Sequence, residues 1–203
     1  MRRSITLAAT VLTVVGLCTA PAHARQELTR KDATSMEQKL VAIATRGSVP
    51  PVANHAPVRT TFTEQEVNAL FQYSQLVQMP AGVVNPRLSI ADAGLLTGRA
   101  IVDLDAIRKS KERTMLDPLS YVTGSVEVTA IGTLKTANGQ GTFDLQSATL
   151  GGISIPKSLL QELVSYYSRT PDTPNGFSLD KPFVLPAAIQ AVETRRGAAT
   201  VVQ

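Results

Sequence analysis

Cysteine, tryptophan and histidine are nearly missing from this chain. Its 203 residues hold one cysteine, no tryptophan and two histidines. Cys18 and His23 both fall within the first two dozen residues, which carry the marks of an export signal. Arg2 and Arg3 make a basic start, Ile5 to Ala20 a short apolar run, and Ala22-His23-Ala24 a small-x-small cleavage site, so the mature chain is expected to begin at Arg25. The apolar run is broken by Thr10, Thr13 and Gly16 and is too short to favour a membrane span. Leu17 before Cys18 is too bulky for lipoprotein processing. The expected location is the periplasm or the exterior.

Each absence closes a class of chemistry. Without cysteine, the mature chain has no disulfide and no thiol nucleophile. With His55 as its one histidine, inside a proline-rich connector, it has poor means to build a Ser-His-Asp arrangement or a zinc site. There is no Gly-x-Ser-x-Gly elbow and no D-x-D-x-D-G calcium loop. Asp103 and Asp105 sit two apart at a strand end, where a solvated pair accounts for them better than a catalytic one. The expectation is a protein that is not an enzyme, with no cofactor and no metal.

Charge is also scarce. Loss of Arg2 and Arg3 from the 20 basic residues leaves 18 against 16 acidic, a net charge of +2 on 179 residues. A nucleic-acid surface needs a larger basic field with aromatic partners, and aromatics make up 4% of the chain. The one basic cluster is "RKSKER", Arg108 to Arg113. Its Arg108, Lys109, Lys111 and Arg113 are expected in a solvated loop, or in peripheral contact with anionic lipid headgroups.

What remains is apolar patterning. Thr29 to Arg46 has Met36, Leu40 and Ile43 on one helical face, with Gly47 placed to end the helix. Ser48 to Pro57 is a connector with three prolines. "FTEQEV", Phe62 to Val67, carries a capping box of Thr63 and Glu66 and a staple of Phe62 and Val67. The cap explains Glu64 and Glu66 without acid–base chemistry. Val67, Leu70 and Phe71 form the buried face of that helix.

From Val83 the period becomes two. A first hairpin turns at Asp92-Ala93-Gly94. On its return strand Leu96, Gly98, Ala100, Val102 and Leu104 share a face. A second hairpin turns at Asn138-Gly139 and has Val126, Val128, Ala130, Gly132 and Leu134 on one side. Gly151-Gly152 leads into a helix begun by Pro156, with Leu159, Leu160, Leu163, Val164 and Tyr167 in a wide stripe and Tyr166 beside them. Ile189 to Thr194 and Ala198 to Val202 close the chain as strands.

This order predicts an α+β fold, with a curved antiparallel β-sheet wrapped around one or more amphipathic helices in a half-tube. Residues 1–24 are the signal peptide, 25–57 the N-terminal helix and proline-rich connector, and 58–203 a single α+β domain that packs with that helix. Small residues on the dry face, Gly98, Ala100, Ala130 and Gly132, let such a sheet bend closely around an occupant.

The stretches "FTEQEVNALF", "GLLTGRAIVDLD", "GTFDLQSATLGGISIP" and "FVLP…V" resemble small exported bacterial proteins of the tubular lipid-binding type, single-module relatives of the bactericidal/permeability-increasing-protein superfamily. The resemblance covers Phe62 to Gln203. It implies binding of a lipid or other apolar molecule between helix and sheet, without catalysis, and no catalytic residue to carry over. The extra N-terminal helix and the Arg108 to Arg113 insertion depart from the pattern. Expected wall residues are Val67, Leu70, Phe71, Leu159, Leu163, Tyr166 and Tyr167. The alternative is a structural or protein-interaction module of the cell envelope with a filled core. Protein partners, the ligand's identity and the oligomeric state are not readable from the residues.

Overall fold

The computed structural model describes residues 27–49, 56–77, 79–106, 123–167, 175–176, 178–179 and 181–203, without the side chains of Leu163, Tyr166 and Tyr167. The chain is α+β, and its described strand pairings are all antiparallel.

Helix α1 (Arg30–Gly47) opens on a capping box: Asp32 N–H donates to the Thr29 hydroxyl, and Thr29 N–H to the Asp32 carboxylate. Gly47 is its last helical residue and ends the helix as the sequence had suggested, with Ser48 capping it in right-handed geometry. Gly47 is glycine because a Cβ there would lie 2.4 Å from the backbone of Ala187.

Strand β1 (Arg59–Thr63) runs directly into helix α2 (Glu64–Tyr73). Thr63 and Glu66 form the expected box, each satisfying the other's backbone N–H. The first hairpin is β2 (Val83–Ile90) and β3 (Leu95–Asp103), joined by a 3-10 turn at Asp92–Gly94. The second is β4 (Ser125–Ala137) and β5 (Gln140–Leu150), where Asn138 and Gly139 take the positive φ angles of 50° and 76° that a two-residue turn requires. Gly151-Gly152 turns into the short strand β6 (Ile153–Ser154), which precedes helix α3 (Lys157–Tyr167). The Pro156 carbonyl accepts the first bond of α3, from Leu160 N–H, so Pro156 sits one position earlier than expected. Strands β7 (Phe183–Val184), β8 (Ala191–Arg195) and β9 (Ala198–Val202) end the chain.

These strands form two sheets where the sequence had suggested one. The larger has the order β2-β3-β4-β5-β6, with β7 also on the outer edge of β5; the smaller is β1-β9-β8. Strand β1 was not anticipated: "RTTFT" lies beside a proline-rich connector and ends in a helix cap, and its partner β9 is far along the chain.

Two apolar clusters meet at Phe62. In one, Met36, Val67 and Leu70 join α1 to α2, with Leu40, Phe71, Val77 and Leu88 packed around them. In the other, Ile43, Leu185, Ile189 and Val201 join α1 to the smaller sheet. Helix α1 therefore spans both, and its Met36 and Ile43 are buried as the helical period implied.

A candidate apolar ligand site

In an antiparallel ladder, directly opposed residues share a face. The register of the larger sheet therefore writes out its dry face row by row. Ile90, Leu96, Gly132 and Leu145 form one row across β2 to β5. Leu88, Gly98, Ala130 and Ala148 form the next. Ala100, Val128 and Leu150 follow, then Val83, Val102 and Val126. No charged residue stands in these rows.

The second row is a trough, with small side chains at Gly98, Ala130 and Ala148 between rows of Leu and Val. Its glycine differs from the others on the sheet. A Cβ at Gly132 would strike the Phe143 ring and one at Gly141 the Phe183 ring, at 2.5 and 2.7 Å, so those gaps are already filled by aromatics. Around Gly98, no described atom lies within 4 Å of the Cβ position. Burial rises along the row, from half-buried Gly98 and Ala130 to Ala148, which is 2% exposed.

Two helices flank the trough. Helix α2 covers its β2 side, with Leu88 packed against Val67 and Leu70. Asn68 fixes that placement: its side-chain amide donates to Leu88 C=O at 2.8 Å and accepts from Leu88 N–H at 2.7 Å. Glu64 takes the N–H of Ile90 at 2.8 Å. Helix α3 touches β5, the far strand of the trough, and is tied to the following segment by Gln161, whose side-chain oxygen accepts from Leu179 N–H. At the rim, a cleft of about 220 Å³ is lined by Phe71, Gln72, Met79 and Val83 to Arg87; Val83 belongs to both the cleft and the last row of the face.

The expected wall residues thus separate. Val67 and Leu70, at 6% and 4% exposure, are core residues held against Met36. Phe71 touches that core and also lines the cleft. Leu159 is exposed on α3. Leu163, Tyr166 and Tyr167 lie on α3 with side chains outside the described set, and Arg108, Lys109, Lys111, Arg113 and His55 lie outside the described residues. Asn68 was missed; its signal was a single amide inside the apolar stripe from Val67 to Leu70.

The carboxylates have structural work. Glu66 accepts from Lys39 Nζ at 2.6 and 2.8 Å, Ser35 Oγ at 2.6 Å and Thr63 N–H at 2.8 Å. Burial pushes its pKa up, but these donors outweigh burial and hold it below the ordinary value. Asp32 is likewise lowered, first by the Thr29 hydroxyl. Asp103 accepts from the N–H groups of Asp105 and Ala106, and Asp105 from Gly124 N–H, so both carboxylates hold backbone at the end of β3. Among the described residues no group of three or more His, Cys, Asp or Glu is placed to hold a metal, and no helix is long and apolar enough to cross a membrane.

No family model, no curated protein and no solved structure matches this chain. Its own geometry carries the functional reading.

Proposed function

We propose that this protein is an exported, non-enzymatic carrier that holds a lipid acyl chain, or another apolar molecule of similar width, in the trough between α2 and α3. The larger sheet then acts as the concave wall of a half-tube, and the cleft around Phe71, Met79 and Val83 is one mouth. The observation that carries this reading is Gly98, which has no described residue over its Cβ position, in the middle of an uncharged sheet face whose other glycines are roofed by aromatic rings. The signal at the N-terminus supports a periplasmic or secreted site of action. Arg108, Lys109, Lys111 and Arg113 are assigned to peripheral contact with anionic headgroups, each such residue contributing about 1 kcal/mol near that surface.

Gly98→Leu tests the reading. The position is an ordinary strand conformation with no described atom in the way of a Cβ, so the variant should fold and gain β-propensity. Its leucine fills the trough. Uptake of a fluorescent long-chain fatty acid by the parent should be lost in the variant, while parent affinity should rise with chain length by about 0.8 kcal/mol per CH₂ buried. A folded Gly98→Leu that takes up the probe as the parent does would remove the trough from the account.

A second reading rests on a different observation. Val67 and Leu70 are fully packed against α1, so the helix pair is solid. A protein without uptake of any lipid would then be an envelope interaction module with a filled core.

A further inference from the structure

The strand edges are treated unequally. The outer edge of β2 is plugged: Asn68 takes both backbone groups of Leu88, Glu64 takes Ile90 N–H, and Pro86 has no N–H to offer. The outer edge of β8 is plugged by Thr136, whose hydroxyl donates to Val192 C=O and accepts from Val192 N–H at 2.7 Å. The outer edge of β5 is taken at its two ends by β6 and β7, while its centre around Phe143 and Leu145 has no strand beside it among the described residues. Proteins commonly close edges in these ways because unpaired ladders recruit other strands.

Among the described residues, the outer edge of β1 has no such device at its centre. Val58 and Gln203 exchange both backbone bonds, and Glu64 N–H bonds to Gly197 C=O. In an antiparallel ladder that parity turns residues 58, 60, 62 and 64 toward β9, and Arg59, Thr61 and Thr63 outward. Thr63 N–H is taken by Glu66. The N–H and C=O groups of Arg59 and Thr61 have no partner among the described residues. The Thr61 side chain is exposed and turned to Thr200, and that of Arg59 pairs with Glu193, so neither covers the edge.

We propose that this edge is a self-association site, where β1 of a second copy of this chain pairs antiparallel with β1 and joins the two small sheets into one of six strands. The outward backbone groups of the edge are placed symmetrically about Thr60, one set at Arg59 and one at Thr61. With a two-fold axis there, Arg59 of each copy faces Thr61 of the other and the four free groups on each edge are matched. The inward-pointing residues match as well: Val58, which is 44% exposed, falls opposite the half-buried Phe62 of the second copy. An isologous contact of this kind closes at two copies and does not propagate.

The test is sedimentation equilibrium of the parent chain, Thr61→Pro and Val58→Lys. Proline at residue 61 removes an outward N–H and no bond to β9; lysine at residue 58 places a charge opposite Phe62 without disturbing an exposed site. The parent should dimerise with a midpoint below about 100 µM, and each variant should weaken the dimer at least about tenfold. Thr60→Cys in the mature chain, which holds no other cysteine, gives up the hydroxyl that accepts from Arg46 and should form a disulfide-linked dimer on mild oxidation, because residue 60 would face its own copy across the axis. A parent that stays monomeric at that concentration, whether or not it binds an added extended peptide, overturns the proposal. So does a dimer that survives both variants.

Discussion

Glu66→Gln is the sharpest probe of how the two N-terminal helices are held. The carboxylate joins α1 to α2 through Lys39 and Ser35 while also capping α2 through Thr63. A hydrogen bond to a charged group contributes about 1.5–3 kcal/mol, and glutamine keeps the shape and one acceptor. Solvent reaches the Lys39 side chain, 30% exposed, and screens part of the pair. The net loss at neutral pH should be about 2 kcal/mol, or a fall in Tm of roughly 4–8 °C for a domain of this size. The pH dependence has a fixed sign. The folded-state pKa of Glu66 is lowered, so its stabilisation is fully present above the unfolded value of about 4.3 and fades as pH falls through the folded value. Glutamine does not titrate there, so the gap between parent and variant should close in acid. Urea unfolding followed by circular dichroism, at neutral pH and in steps down to about pH 3, measures this. A neutral-pH gap under about 0.5 kcal/mol, or one that persists unchanged in acid, would refute the reasoning.

Other changes test single features. Asn68→Ala should cost about 2–3 kcal/mol in urea unfolding, because it leaves both backbone groups of Leu88 unpaired in a part-buried place. Gly47→Ala should destabilise despite the better helix propensity of alanine, since its Cβ meets the Ala187 backbone; a stabilised variant would contradict that close approach. Ala188→Gly should raise stability by up to about 1 kcal/mol, because Ala188 holds φ 54° in the left-handed region. An unchanged or lower Tm would speak against that backbone conformation.

Local rules wrote much of this fold legibly. The Thr63–Glu66 box, the Asn138-Gly139 turn and the alternation along Leu95–Asp103 and Ser125–Ala137 each depend on neighbours in sequence, and each appears in the structure. Non-local pairings were not legible. Strand β1 exists because β9, some 140 residues later, supplies its ladder, and that division into two sheets has no local signature. Gly47 ends α1 as its place in the sequence implied, but the reason it must be glycine, the approach of Ala187, has no local signature. The site was half legible. The small residues at Gly98, Ala100 and Ala130 could be seen, but only register shows that Gly98, Ala130 and Ala148 align into a trough. Val67 and Leu70 read as wall candidates because a buried face has the same pattern whether it meets protein or ligand.

Mass spectrometry of the purified mature protein, in the native state and then after organic extraction, tests the central claim most directly. The account predicts a lipid or similar apolar molecule bound at fixed stoichiometry and released by the solvent. A bare protein mass, with no uptake from added lipid mixtures, would contradict it.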